Sequence, residues 1–184
     1  RLINSIPEGD ASLTCRAKLI CRNALFKIRI QQFENAEENI NFGLETARSA
    51  NLLHEEAYCL NALATHAMVK KSSSTALVFA KNALDLSRKI QDKEEESHSL
   101  YNLGYTQVNL GEISEAEAVL YLCRDICTET GNFRRLSKVL NILADIACIR
   151  GDYKLALSHY DLSLKNGRAM QNTYFESLTL NNAG

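Results

Sequence analysis

One residue pattern recurs along the chain every 40 residues, and it constrains the fold more than any other feature of the sequence. Its first column is aliphatic, at Ile20, Leu60, Leu100, Leu140 and Leu180. Its second column holds only small residues, at Ala24, Ala64, Gly104, Ala144 and Gly184. Its third column holds only alanine, at Ala36, Ala76, Ala116 and Ala156. A fixed period of this size is typical of an array of small, stacked supersecondary units.

Each repeat contains two helical patterns. The third repeat shows both, with helical spacing at Leu100, Leu103, Gly104 and Gln107 and again at Ile113, Ala116, Leu120 and Cys123. Turn-like residues separate the patterns, at Gln31, Lys71, Gly111 and Gly151 and at Asn51, Gln91, Gly131 and Gln171. The spacing predicts helix pairs at roughly 16–30 and 33–49, 55–70 and 73–90, 94–110 and 113–130, and 134–150 and 153–168, with a last helix beginning near Tyr174.

These patterns predict an all-α chain, a solenoid of antiparallel helix pairs. A single pair cannot bury its apolar face, whereas stacked pairs share a continuous core. We expect one domain over 1–184, with repeats at 15–52, 53–92, 93–132 and 133–172 and the start of a fifth at 173–184. Residues 1–14 are expected to be a lead-in or the tail of a preceding element. The small columns should lie where paired helices cross, as at Gly104 and Ala116.

Composition and charge argue against several classes of protein. The chain has 21 basic and 22 acidic residues, whereas a nucleic-acid-binding protein usually carries a basic excess. No apolar run approaches the roughly 20 residues that span a bilayer, so no membrane partner is expected. Six cysteines without a CxxC pair are typical of reduced, mostly buried thiols, which favours a cytoplasmic protein.

No group of residues predicts catalysis or a bound cofactor. Cys123 and Cys127 have a spacing that can chelate a metal ion, but no nearby histidine or cysteine completes a site. We therefore expect them to be structural thiols, with no metal and no cofactor. No phosphate-binding glycine loop or nucleophile motif is present, so we expect that the chain is not an enzyme.

The columns resemble the tetratricopeptide repeat. The residues that carry the resemblance in the third repeat are Leu100, Leu103 and Gly104, followed by Gly111, Ala116 and Leu120. The 40-residue period is longer than the common 34 and is similar to that of repeats in bacterial regulators and peptide sensors. HEAT and armadillo arrays have a similar length but lack this spacing. The resemblance implies a right-handed superhelix whose first helices line a concave groove.

The same resemblance implies which residues face a partner in that groove. In the first repeat they are Lys18, Cys21, Leu25 and Ile28. In the later repeats they are Tyr58, Asn61, Thr65, Met68, His98, Tyr101, Tyr105, Val108, Lys138, Asn141, Asp145 and Cys148. The tyrosines could anchor a peptide, and Asn61, Asn141 and Asn181 could pair with its backbone. The alternative is that these polar residues lie on a solvated face or contact a neighbouring helix pair.

The function that follows is a non-catalytic module that binds a protein or peptide segment in its groove. We expect it to be the regulatory or interaction part of a larger signalling or transcription-regulating protein. Two alternatives stay open at this point. The module could be a peptide-responsive switch that controls an attached output domain, or a scaffold that self-associates through its exposed end repeat.

Overall fold

The computed structural model describes residues 35–169, together with the isolated positions 12, 15, 19, 22, 23, 179 and 180. All regular secondary structure in this described part is helical. Seven helices lie within 35–169. They are α1 (Ala36–Ser49), α2 (Leu53–Val69), α3 (Ser73–Lys89), α4 (Lys93–Leu110), α5 (Ile113–Thr130), α6 (Phe133–Ile149) and α7 (Tyr153–Ala169). We call α2, α4 and α6 the first helices of their repeats and α1, α3, α5 and α7 the second helices.

Successive helices from α2 to α7 begin 20 residues apart, because every turn between them has the same construction. After each helix one residue adopts the left-handed conformation, at Asn51, Lys71, Gln91, Gly111, Gly131 and Gly151. In the first of these turns the Asn51 amide donates to the Arg48 carbonyl at 3.1 Å and the Leu52 amide to the Ala47 carbonyl at 2.8 Å. This pair of bonds is the Schellman motif, which satisfies the last carbonyls of a helix.

The predicted helices agree with the observed ones to within about three residues wherever they can be compared. The largest difference is in α1, predicted from residue 33 but beginning at Ala36, after Asn35 in the left-handed conformation. The predicted helix at 16–30 lies almost wholly outside the described residues. Of the last helix, Thr179 and Leu180 are described, and both are helical.

The chain divides into two compact units, Arg1–Asn102 and Leu103–Gly184, which we call the N-terminal body and the C-terminal body. In the N-terminal body α2 packs against both α1 and α3. Tyr58, Phe79 and Leu86 pack around a core of buried residues from these helices. The buried residues are Ala36, Ile40, Leu44, Cys59, Leu60, Ala62, Leu63 and Ala83.

In the C-terminal body α6 packs against both α5 and α7. Ala144 and Ala147 of α6 meet Ala156 and Tyr160 of α7 in one buried cluster. At the crossing of α4 and α5, Gly104 lies so close to Leu120 that an added Cβ would be 2.6 Å from the leucine Cγ. The expectation that a small residue sits where paired helices cross is therefore confirmed at Gly104.

Burial follows the repeat columns in the described part of the chain. Leu60, Leu100 and Leu140 are at most 3% exposed, and the alanine column is buried at all four of its positions. Leu180 departs from its column, since it is 52% exposed.

Candidate functional site

The predicted groove residues of α2 form one stripe along that helix. Tyr58 is half-buried and packs against the core of the N-terminal body. Thr65 and Met68 are half-buried further along, and the Thr65 hydroxyl donates to the Asn61 carbonyl of its own helix at 3.0 Å. The stripe therefore offers a surface in which an aromatic ring and a thioether are only partly covered.

Asn61 is fully buried and belongs to a polar network of the N-terminal body. Its Nδ2 donates to Oε2 of Glu95 at 2.8 Å. Its Oδ1 accepts from Nδ2 of Asn102 at 3.1 Å. A buried amide needs such partners, because an unsatisfied polar group costs about 1–3 kcal/mol. Asn61 therefore does not lie free on the groove surface. Its amide bonds the first turn of α4, in agreement with the alternative that such a residue contacts a neighbouring helix pair.

Glu95 connects this network to the predicted groove residues of α4. Its side chain is 7% exposed, and its Oε2 lies 3.7 Å from Nδ1 of His98, which is 21% exposed. Tyr101 is half-buried one turn further along α4. Glu95 therefore fixes both Asn61 of α2 and His98 of α4 in place.

The predicted residues of the C-terminal body lie on α4 and α6. Tyr105 is 37% exposed, and Val108, Lys138 and Cys148 are half-buried. Asp145 is exposed and accepts a 2.6 Å hydrogen bond from the Tyr160 hydroxyl. Burial and this carboxylate together raise the pKa of Tyr160. Tyr160 thus stays protonated and holds Asp145 against α7.

Asn141 combines burial with an unused donor. It is 4% exposed, and its Oδ1 accepts from the Thr179 hydroxyl at 3.3 Å. Its Nδ2 is buried, and no described residue offers it an acceptor. The Ser137 hydroxyl, one turn earlier on α6, is likewise buried without a hydrogen-bond partner in the described part of the chain. Two adjacent polar groups on α6 therefore lack a hydrogen-bond partner among the described residues.

Some predicted residues cannot be placed, and the structure adds others. Lys18, Cys21, Leu25, Ile28 and Asn181 lie outside the described residues. Glu95 and Asn102 were not in the predicted set. The sequence holds one signal for Glu95, because Glu55 lies in the same column 40 residues earlier. In the structure both glutamate residues are 5% exposed. A buried acidic column in the first turn of a helix is unusual, because carboxylates are seldom buried.

The described residues contain neither a cluster of metal ligands nor a membrane-spanning helix. Cys123 and Cys127 are fully buried, with their sulfurs 4.0 Å apart. No cluster of three or more His, Cys, Asp or Glu residues suited to a metal ion occurs in the described part of the chain. None of the described helices is both long enough and apolar enough to cross a bilayer. The two thiols lie in the core as small hydrophobic groups.

Comparison with known proteins identifies the fold. No protein-family model and no curated protein matches the chain. Among solved structures, a Rap protein complexed with competence and sporulation factor is 21% identical with a TM-score of 0.81, over 89% of this chain and 46% of that one. Aspartyl phosphate phosphatase F from Bacillus subtilis is 12% identical with a TM-score of 0.79, over 89% and 43%.

A third similar structure is a signal transduction ATPase with numerous domains from Pyrococcus horikoshii, which has a tetratricopeptide repeat sensor. It is 16% identical with a TM-score of 0.74, and the match covers 93% of this chain and 27% of that one. The chain thus spans less than half the length of these structures. The agreement in fold, together with the 40-residue helix pairs, shows that this chain has the tetratricopeptide-repeat fold.

Proposed function

We propose that this chain is a non-catalytic module that binds a peptide or protein segment along its first helices, within a larger signalling or transcription-regulating protein. The residues that meet the segment are those of the predicted groove on α2, α4 and α6. They comprise Tyr58, Thr65, Met68, His98, Tyr101, Tyr105, Lys138, Asn141 and Asp145. Asn61 contributes by holding Glu95 and α4 in position.

The observation that carries this proposal is a set of partly exposed aromatic side chains on the first helices. Tyr58 and Tyr101 are half-buried, and Tyr105 is 37% exposed. Half-buried tyrosines on the first helices can supply apolar contact at low cost in side-chain entropy.

The solved structures of similar fold support a regulatory role. One of them holds competence and sporulation factor, and another carries its repeats as a sensor in an ATPase with several domains. A third is an aspartyl phosphate phosphatase, so catalysis has to be tested directly. We place the protein in the cytoplasm and infer that it does not bind nucleic acid. We keep self-association through an end repeat as a prediction, which sedimentation over a range of protein concentrations tests.

A selection from a random library of short linear peptides tests the proposal. We expect the wild-type chain to retain specific peptides, and the variant Tyr101→Ala/Asn141→Ala to bind them at least about tenfold more weakly, because a central aromatic anchor and a buried hydrogen bond are lost. Titration calorimetry with one selected peptide measures this change.

The matched control is Val78→Ala/Leu157→Ala, which truncates two exposed side chains on second helices. It should leave peptide affinity unchanged. Failure of the selection, or an equal loss in both variants with intact helical circular dichroism, would contradict the proposed function. Hydrolysis of an aspartyl phosphate by the purified chain would contradict the non-catalytic part of it.

A further inference from the structure

Two ion pairs occupy equivalent positions in successive repeats of the N-terminal body. Nε of Arg48 lies 2.8 Å from Oε1 of Glu56, and Nε of Arg88 lies 3.1 Å from Oε1 of Glu96. Each pair joins the last turn of a second helix to the first turn of the next first helix. Lys93 adds a further contact to Glu96 at 2.9 Å. These positions are therefore filled by long charged side chains that close the space between the helices.

The next repeat replaces this ion pair with residues that cannot form one. Forty residues after Arg88 and Glu96 the chain has Thr128 and Leu136. The space is open there, and a cleft of about 700 Å³ lies between α5, α6 and α7, entirely within the C-terminal body. We call it the α5–α7 cleft. Its lining residues are Arg124, Asp125, Thr128, Glu129, Phe133, Leu136, Leu162 and Asn166.

The inside of the α5–α7 cleft is apolar. Leu136 is buried, while Phe133 is 48% exposed and Leu162 is 45% exposed. Both lie at the cleft although their removal from water would be favourable by about 25 cal/mol per Å². Nδ2 of Asn166 is buried in the same cleft, and no described residue offers it an acceptor. The cleft thus presents apolar surface, and the amide nitrogen of Asn166 lies buried beneath it.

The rim of the cleft carries an acidic excess. Asp125 has a 63% exposed side chain, and Glu129 is exposed as well. Arg124 is the one basic lining residue, and it is already committed, since its guanidinium bonds Asp125 at 2.7 Å and lies 4.7 Å from the centre of the Tyr121 ring. Glu129 therefore adds an acidic charge that the lining residues do not balance. A basic partner is the complement of such a rim.

We propose that the α5–α7 cleft is a second docking site, distinct from the proposed peptide groove, for a partner polypeptide with a bulky aliphatic residue flanked by basic residues. The aliphatic side chain enters between Phe133, Leu136 and Leu162. The flanking ammonium or guanidinium groups meet Asp125 and Glu129. A partner can thus be held here while the groove on the first helices is occupied or empty.

Methyl-resolved NMR of the intact chain tests this site with two synthetic probes, the acetylated and amidated tripeptides Lys-Leu-Lys and Glu-Leu-Glu. We expect the basic tripeptide to shift the methyl resonances of Leu136 and Leu162, with millimolar affinity because only one side chain is buried. The acidic tripeptide has the same apolar residue and should bind at least about tenfold more weakly, since Asp125 and Glu129 repel it.

Two variants locate the binding. Leu162→Gln should weaken the basic tripeptide about fivefold, whereas Leu157→Gln changes an equally exposed leucine of α7 outside the cleft and should have no effect. Thr128→Arg/Leu136→Glu rebuilds the ion pair of the earlier repeats, and should fill the cleft and abolish binding.

Several results would overturn the second site. They are no methyl shift with the basic tripeptide at millimolar concentration, equal binding of the two tripeptides, or the same loss in Leu157→Gln as in Leu162→Gln. Because both glutamine changes are at exposed positions, the outcome does not depend on whether the rebuilt ion pair folds. A negative result in this NMR experiment would not contradict the proposed peptide groove on the first helices, because the peptide selection tests different residues.

Discussion

At the scale of single residues, the small column of the repeat is matched to what faces it. Gly104 faces Leu120, whose Cγ and Cδ2 would lie 2.6 and 2.7 Å from a Cβ at position 104. The preceding repeat has Ala64 and Ala80 in these two columns, both fully buried. The absence of a side chain at 104 therefore accommodates the larger residue at 120.

This pairing predicts an interaction between the two sites. Gly104→Ala alone should lower the free energy of unfolding by about 1–3 kcal/mol through overpacking. Leu120→Ala alone should lower it by about 2–5 kcal/mol through the cavity it leaves. The double variant restores the alanine pair of the preceding repeat and should lose at least about 1 kcal/mol less than the sum. Urea unfolding measures all three, and simple additivity would contradict the packing of Gly104 on Leu120.

At the scale of the helix, the turns carry a strain that differs between repeats. Asn51, Lys71 and Gln91 adopt the left-handed conformation, as do Gly111, Gly131 and Gly151 in the later turns. For a residue with a Cβ this conformation costs about 1–2 kcal/mol, and for glycine it costs little. The earlier turns are thus held in shape by their Schellman hydrogen bonds against a local preference, while the later turns are relaxed.

A reciprocal exchange between equivalent turns tests this difference. Gln91→Gly should raise the free energy of unfolding by about 1 kcal/mol, because the strained conformation becomes an easy one. Gly131→Gln should lower it by a similar amount, although nothing lies within 4 Å of the new Cβ. The second change isolates backbone strain from steric overlap. Urea denaturation checks both, and a stabilising Gly131→Gln would refute the explanation.

Much of the helix layout could be predicted from the sequence, because its signals are local. A leucine column, an alanine column and a turn residue every 20 positions determine where helices begin and end. The polar residues were harder to place. Asn61 lies on the predicted stripe of α2, but its environment is made by Glu95 and Asn102, which are 34 and 41 residues away. A repeat column shows on which face of its helix a residue lies. The residues that contact it on that face belong to the neighbouring helix, which the column does not show.

The α5–α7 cleft shows the same limit. The sequence shows that Thr128 and Leu136 stand where earlier repeats have Arg88 and Glu96. However, the ion pair itself spans a turn, and only the structure shows that the two side chains meet. Once that contact is known, its loss in the next repeat can be found by aligning the repeats. Departures from a repeat pattern are therefore most informative when the contact they remove is known.

At the scale of the whole molecule, two buried histidines link folding to pH. His66 in the N-terminal body is 2% exposed and His159 in the C-terminal body is 7% exposed. Burial lowers the pKa of each below the ordinary value of 6.5. Lys70 lowers that of His66 further and Arg124 that of His159, while Glu37 and Glu117 act in the opposite direction. Both rings are therefore held neutral in the folded protein.

The folded chain should consequently lose stability in mild acid. Below about pH 6.5 the unfolded state binds protons that the folded rings do not accept, so the free energy of unfolding falls as the pH falls from 7 to 5. His66→Gln should show a smaller fall over this range, because it removes one of the two buried rings. Urea unfolding at pH 7 and pH 5 checks this. A pH-independent wild type would contradict the link.

The 20-residue spacing of the turns limits which insertions and deletions this fold can accommodate. Inserting or deleting 20 residues at a turn would keep every helix in phase and every left-handed residue in place. It would nevertheless exchange first and second helices along the rest of the chain, so that the columns that meet at Gly104 and Leu120 would no longer face each other. Duplication or loss in steps of 40 preserves both. The repeating unit of the array is therefore a pair of helices. Recombination in whole pairs can lengthen or shorten the array without changing any residue.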